Sequence, residues 1–214
     1  MLGPCVAEFA RDAREAARAE KWSEWYGGCR GWPGSVVVVA GKALVKPKAR
    51  YAGLMGTKKS ADLRMIVGAS AGGHMNQMLR LLENSANWPV PPHCLITTQP
   101  EVVSSLSRYG TVEVLGECNR RHPLKSILVG IHALRLVLKH RPQVVVTTGS
   151  LPLALVCLWA KLGGAKIVWI DSIANIYRFS MSGRLVYLFA DLFLTQWPDL
   201  AQRFSKAEYA GELL

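Results

Sequence analysis

The chain has 214 residues, of which 50% are hydrophobic, and a formal net charge of +11 at pH 7. This composition excludes a disordered chain and indicates a globular protein with a basic surface, suited to an anionic partner. The basic excess is spread out, with 12 Lys and Arg against 6 Asp and Glu in residues 1–64, and 14 against 9 in residues 65–214. Because no polybasic run stands out, we expect no nucleic-acid partner.

The cysteines and the apolar stretches narrow the class of protein further. The five cysteines are widely spaced, with no C-x-x-C and no histidine pair at zinc-ligand spacing, which predicts a reduced, intracellular chain without a metal. Nothing at the start has the pattern of a signal peptide. The longest apolar stretches, Leu151–Ala160 and Leu185–Leu194, are shorter than the roughly 20 residues that a membrane-spanning helix needs. We therefore expect no spanning helix, while contact with a membrane surface stays open.

Residues 1–60 show no regular alternation of strands and helices. A helical Ala/Arg/Glu-rich stretch (Glu8–Trp25) is followed by a turn cluster (Gly27–Gly34), an apolar SVVVV run and a basic KALVKPKAR segment. We interpret these residues as an appended basic segment, which is either a peripheral anchor or an extension that the fold does not need. The second interpretation is favoured.

Residues 64–214 show a regular alternation of strand and helix patterns. Apolar, β-rich runs occur at RMIVGAS, HCLITT, TVEVLG, QVVVTTG, AKIVWID and LFLTQ. Helical patterns lie between several of them, at His74–Glu83, Pro123–His140, Leu151–Leu162 and Gly183–Ala190. Nearly continuous Val/Ile runs alternating with helices predict a parallel sheet covered on both faces. The expected fold is therefore a Rossmann-like α/β domain.

The first candidate site is the turn Ala69–His74, because ligands of open α/β sheets bind beyond the carboxyl ends of the strands. Gly72 and Gly73 permit a tight turn and a close ligand approach. The helix start that follows favours an anion and a neutral histidine, so His74 is a candidate general base. A capping or packing histidine is the alternative. The glycine spacing matches neither G-x-G-x-x-G nor a P-loop, which disfavours a dinucleotide enzyme.

Two further turns end at the same edge of the sheet. In TTGSLPLA, Gly149 follows a strand and either contacts a ligand or simply turns the chain into the next helix. In WIDSIANIYRFSMSGRL, Asp171 is a candidate for holding a hydroxyl or orienting a histidine, and a helix cap is the alternative. The candidate ligand-binding residues of this loop are Ser172, Arg178, Ser180, Ser182 and Arg184, where the arginines suit phosphate.

The helix predicted within Pro123–Arg141 combines a broad apolar face with basic residues. Lys125, Arg135, Lys139 and Arg141 lie beside its leucines, isoleucines and valines. Such a helix suits the surface of an anionic bilayer. The alternative is a helix packed on the core with a basic outer face.

Three stretches together resemble a known family: GASAGGHMNQMLRLL, VVVTTGSLPLALVCLWAKLGGAKIVWIDS and, most specifically, SMSGRLVYLFADLFLTQWPDL. They are similar to the acceptor-side, membrane-anchoring subunit of split UDP-sugar glycosyltransferases. That family includes the anchor subunit of the dolichol-pathway UDP-N-acetylglucosamine transferase and bacterial PssD-type exopolysaccharide subunits. The turn ending in His74 is also similar to the G-x-G-G-H turn of MurG. The resemblance covers roughly residues 64–210.

The resemblance implies the amino-terminal half of a GT-B glycosyltransferase, with His74 and Asp171 as the catalytic candidates. Asp171 stands where the family more often has Glu. A separate chain would bind the UDP-sugar, while this chain would bind a lipid-linked saccharide acceptor at the cytoplasmic face of a membrane, peripherally and without a cofactor. The leading hypothesis is therefore an acceptor-binding glycosyltransferase subunit. The alternative is a non-catalytic anchor that recruits a catalytic partner.

Overall fold

The computed structural model describes residues 63–83, 85, 88, 90–118, 123–209, 211 and 213. The interpretation of residues 1–60 as an appended segment lies outside these residues. The strands of the described part are β1 (Met65–Ala69), β2 (Cys94–Thr97), β3 (Val112–Val114), β4 (Val144–Thr147), β5 (Lys166–Ile170), β6 (Leu192–Thr195) and β7 (Ala207–Tyr209). Its α-helices are α1 (Gly73–Glu83), α2 (Val103–Leu106), α3 (Pro123–His140), α4 (Leu151–Leu162), α5 (Met181–Tyr187) and α6 (Pro198–Arg203).

The strands form one parallel sheet in the order β3-β2-β1-β4-β5-β6-β7. In the central pairs, Val67 of β1 is in register with Leu95 of β2 and with Val146 of β4. From β1 the sheet is extended first on one side, by β2 and β3, and then on the other side, by β4 to β7. This arrangement confirms the predicted Rossmann-like fold and places the topological switch point between β1 and β4.

Two apolar clusters hold the sheet between layers of helices. Side chains of α3, α4, α5 and α6 pack on one face of the sheet, where Trp169 and Phe193 are fully buried. Side chains of α1 and α2 pack on the other face, together with Leu213 near the carboxyl terminus. Successive strand residues such as Ile66 and Val67 belong to different clusters, because alternate side chains of a strand point to opposite faces.

The six predicted strands are confirmed, and β7 is an addition that the sequence pattern did not indicate. The helices predicted from residue 123 and from residue 151 have the expected bounds. The helix predicted at Gly183–Ala190 instead begins at Met181 and ends at Tyr187. It begins earlier because the Ser180 hydroxyl accepts a hydrogen bond from the Gly183 amide and caps the helix.

Within the described ranges, no helix has the length and apolar content required to cross a membrane. The described cysteines, Cys94, Cys118 and Cys157, are free thiols.

Candidate functional site

The turn between β1 and α1 places His74 at the switch point of the sheet. Gly72 has a φ of +87°, a left-handed conformation that favours glycine, and its carbonyl accepts the amide hydrogen bond of Asn76. Helix α1 therefore begins at Gly73, and His74 lies in its first turn. The side chain of His74 is half-buried, and both glycines are exposed. The residues predicted for this turn thus lie together at the expected edge.

The imidazole of His74 is held from the turns of both central strands. The hydroxyl of Ser70, just after β1, lies 3.2 Å from Nδ1. Thr148, just after β4, donates a 2.8 Å hydrogen bond to the backbone carbonyl of His74. A Cβ atom added at Gly149 would lie 3.1 Å from both Cδ2 and Nε2 of the ring. Gly149 therefore does more than turn the chain, because its missing side chain leaves the space that the imidazole occupies.

Burial sets the protonation state of His74. Desolvation lowers the pKa of His74 below its ordinary value, and the negative charge of Asp171 opposes this effect without reversing it. The ring is therefore neutral at neutral pH. Base action at Nε2 requires the tautomer in which Nδ1–H donates to the Ser70 hydroxyl, so Ser70 is suited to orient the base.

Asp171, at the carboxyl end of β5, is buried and fully engaged by its neighbours. Its carboxylate accepts hydrogen bonds from the Ser180 hydroxyl (2.8 Å), the Ser180 amide (3.2 Å), Trp169 Nε1 (3.2 Å) and Asn175 Nδ2 (3.3 Å). Burial raises the pKa of Asp171, while these hydrogen bonds oppose the rise. These hydrogen bonds make Asp171 the residue that holds the β5–α5 loop in place. Its negative charge also raises the pKa of His74 through an electrostatic interaction.

The other residues predicted in the β5–α5 loop divide into internal and exposed groups. Ser180 uses its hydroxyl on Asp171 and on the Gly183 amide, and the Ser172 hydroxyl accepts a hydrogen bond from the Ala174 amide. Ser182, in the first turn of α5, is half-buried, whereas Arg178 and Arg184 are exposed. Ligand binding by these residues stays a prediction.

Two buried side chains that no sequence motif indicated, Trp169 and Gln196, connect the residues of the site. Trp169 donates to Asp171, and its ring atom Cζ2 would lie 3.5 Å from a Cβ at Gly149. Gln196, after β6, donates to the Asp171 carbonyl (2.9 Å) and to Gln77 Oε1 of α1 (3.1 Å). These contacts join the turns after β1, β4, β5 and β6. The sequence carries only one signal for these two residues, which is that each lies near the carboxyl end of a strand, Trp169 in β5 and Gln196 after β6.

In the part of the chain that the structure describes, no group of three or more His, Cys, Asp or Glu side chains is arranged to hold a metal ion. The described residues of the site place a neutral imidazole beside a glycine-lined turn. A hydroxyl group placed against Nε2 would find a proton acceptor there.

Comparison with known proteins shows that the chain is similar to named glycosyltransferase subunits. Residues 112–213 match a family model described as "Oligosaccharide biosynthesis protein Alg14 like". The UDP-N-acetylglucosamine transferase subunit ALG14 of Yarrowia lipolytica is 26% identical over 196 residues, which cover 80% of this chain and 90% of the relative. The subunit of the same name from Homo sapiens is 24% identical over 181 residues, covering 72% and 84%.

Among solved structures, the crystal structure of Acinetobacter baumannii MurG superposes with a TM-score of 0.53 at 13% identity. The match covers 64% of this chain and 42% of the MurG chain, so this chain spans about two fifths of MurG. The likeness shows the fold. Together, the comparisons confirm the resemblance predicted from the sequence: the chain is similar to the Alg14-like proteins of oligosaccharide biosynthesis over residues 112–213, and its Rossmann-like fold is similar to part of MurG.

Proposed function

We propose that this chain is the acceptor-binding, membrane-associating subunit of a two-chain glycosyltransferase. The enzyme would transfer a sugar, which is N-acetylglucosamine by analogy with the named relatives or else a hexose or uronic acid, from a UDP-sugar to a polyprenyl-diphosphate-linked saccharide. The observation that carries the proposal is the position of His74, a neutral base at the switch point with Nε2 against Gly149.

The proposed chemistry uses His74 as the general base. Nε2 takes the proton of the acceptor hydroxyl while that oxygen forms a bond to the anomeric carbon of the donor sugar. The bond from the anomeric carbon to the diphosphate breaks at the same time, UDP leaves, and the anomeric configuration inverts. Ser70 and Gly149 fix the ring for this step, and Asp171 positions the neighbouring loop.

The fold supports a partner chain. The described residues form a single Rossmann-like sheet, whereas a GT-B enzyme consists of two such halves, and the curated relatives are named as subunits. We propose that the second half, which binds the UDP-sugar, is a separate chain that covers the carboxyl edge of this sheet.

Helix α3 supports membrane association. Its apolar face consists of Leu124, Ile127, Leu128, Ile131 and Leu138, whose side chains are 45–76% exposed. The same helix and its end carry the exposed basic residues Lys125, Arg135, Lys139 and Arg141. An apolar helix face flanked by cations fits the surface of an anionic bilayer. We therefore place the apolar α3 face against the membrane that holds the lipid-linked acceptor, as peripheral attachment at the cytoplasmic side.

The catalytic proposal is tested by the variant His74→Gln, assayed for sugar transfer from the UDP-sugar with the partner chain present. Loss of a general base lowers the turnover number by about 10²- to 10⁴-fold, while folding and pairing with the partner are retained. His93→Gln is the matched control, because His93 is exposed and lies before β2, at the opposite edge of the sheet. Normal transfer by His74→Gln would rule out the base.

The membrane proposal is tested by the double variant Leu128→Ser and Ile131→Ser in sedimentation with anionic vesicles. Because both side chains are exposed, their loss leaves folding intact but weakens vesicle binding by about tenfold or more. Tyr209→Ser, on the edge strand β7, is the control. Vesicle binding that is unchanged by the double variant would place the membrane contact elsewhere.

A non-catalytic anchor is the second candidate function. It is favoured by the engagement of Asp171, whose carboxylate accepts four hydrogen bonds within the chain. The two experiments separate the candidates. An anchor would lose transfer only with the α3 variant, whereas a catalytic subunit would lose it with His74→Gln while still binding vesicles.

A further inference from the structure

A cavity of about 340 Å³ lies at the carboxyl edge of the sheet, beside the His74 turn. Residues that follow β1, β2, β3 and β4 contribute to its wall, together with the first turns of α3 and α4. The lining residues are Ser70, Thr98, Glu117, Cys118, Lys125, Ser150, Leu151 and Pro152. The volume is within the usual range of small-molecule sites.

One wall of the cavity contains an unsatisfied hydroxyl. Ser150 Oγ is buried and has no hydrogen-bond partner among the described residues. The backbone of Ser150 also has a φ of +108°, which side-chain-bearing residues rarely adopt. Native structures pair nearly all their buried polar groups, so an unpaired hydroxyl in the wall of a cavity indicates a polar group that arrives with a ligand.

The rest of the cavity wall combines charged and apolar side chains, and this combination limits the class of ligand. Glu117 and Lys125 bring opposite charges, and Gln99 Nε2 fixes the Glu117 carboxylate through a 2.7 Å hydrogen bond. Leu151 and Pro152 supply an apolar surface. A carboxylate in the wall repels a phosphate, whereas it accepts hydrogen bonds from the hydroxyls of an uncharged sugar. The apolar pair suits the C–H face of a sugar ring.

We infer that this cavity binds a sugar ring of the acceptor saccharide, an inference that rests on the proposed function. Glu117 accepts hydrogen bonds from ring hydroxyls, Lys125 donates to a ring substituent, and the Ser150 hydroxyl pairs with the sugar. Ser70 lies in the cavity wall and also contacts Nδ1 of His74 at 3.2 Å. A ring bound there therefore lies beside the residue that contacts the His74 imidazole, and Glu117 and Ser150 determine which sugar is accepted.

The test measures binding of N-acetylglucosamine to the full chain by ligand-observed NMR, with inorganic phosphate as a second probe. We expect Glu117→Gln and Ser150→Ala each to weaken sugar binding by about tenfold. Ser150→Ala removes a hydroxyl that has no partner within the described residues, so folding is retained. Glu83→Gln, at the far end of α1, is the charge-matched control and keeps the affinity of the unaltered chain.

Occupancy of the cavity has an independent readout in Cys118. Its thiol lines the cavity and is half-buried, so N-acetylglucosamine slows its alkylation, measured by peptide mass spectrometry. Sugar affinity that is the same in Glu117→Gln, Ser150→Ala and the control overturns the inference. Competition of phosphate for the same cavity, lost in Lys125→Met, overturns it in favour of an anion site.

The outcome is distinguishable from failure of the proposed function. If His74→Gln transfers sugar normally but the cavity variants no longer bind N-acetylglucosamine, the sugar site is supported and the assignment of His74 as the base is wrong. If the cavity variants transfer with an unchanged KM for the acceptor while His74→Gln is inactive, the sugar site fails and the base assignment stands.

Discussion

The β1–α1 turn and the β5–α5 loop both end at the same edge of the sheet, yet they use their ionisable groups differently. In the first, His74 is half-buried and its Nε2 lies against a glycine that contributes no side chain. In the second, Asp171 is 1% exposed and accepts four hydrogen bonds from its own loop and strand. The β1–α1 turn therefore leaves Nε2 of His74 available as a proton acceptor, whereas the β5–α5 loop uses the Asp171 carboxylate to stabilise its own conformation.

The difference shows that a charged residue at a strand end is not by itself evidence of catalysis. Buried carboxylates require compensating hydrogen bonds, and the loop of ten residues between β5 and α5, residues 171–180, offers many donors for this purpose. The short β1–α1 turn has few side chains, so His74 is constrained by Ser70 of its own turn and by Thr148 and Gly149 of the neighbouring β4 turn. Two variants, Asp171→Asn and Gly149→Ala, test this comparison in three experiments.

The largest effect is expected for Asp171→Asn, measured as the free energy of unfolding in urea. The amide replaces one accepting oxygen with a donor, which faces donors from Trp169, Ser180 or Asn175. We expect a loss of about 3 kcal/mol. Asp199→Asn, at an exposed position in the first turn of α6, is the control and changes stability by less than about 1 kcal/mol. Equal stability of both variants would show that the β5–α5 loop does not depend on this carboxylate.

The second effect concerns the space that Gly149 leaves for His74. A Cβ there would lie 3.1 Å from the imidazole, at a φ of +119°, so Gly149→Ala is expected to cost about 1–2 kcal/mol. Displacement of the ring also lowers turnover by about tenfold or more. Gly164→Ala is the matched control, since its φ is +85° but no atom lies within 4 Å of the added Cβ. The control shares the backbone strain, so a turnover loss in both variants would contradict the displacement of His74.

The sequence predicted the fold well and the site in part, for physical reasons. Buried parallel strands are continuous Val/Ile runs, which a single sequence displays, so six strands and the switch-point turn were found. Strand β7 was missed because its three residues, Ala207–Tyr209, carry no such run. Gln196 was missed because it acts through contacts between distant segments, whereas Ser70 and Trp169 make local hydrogen bonds to His74 and Asp171 that belong to no recognised motif. The contact of Gln196 with Gln77 spans 119 positions, a pairing that no local pattern records.

The smallest expected effect is the electrostatic coupling between the two regions. The Asp171 carboxylate raises the pKa of His74 against the larger lowering by burial, so Asp171→Asn removes the only one of these influences that favours the imidazolium. The midpoint of the His74 titration, followed by NMR of the ring protons, should therefore move to lower pH, and the acid limb of the transfer activity should move with it. His93 is the internal reference, because its pKa is lowered by desolvation, His140 and Arg64, none of which the substitution changes. A His74 midpoint that stays fixed, or moves in step with that of His93, would show that the two regions act independently and that the β5–α5 loop contributes only its shape.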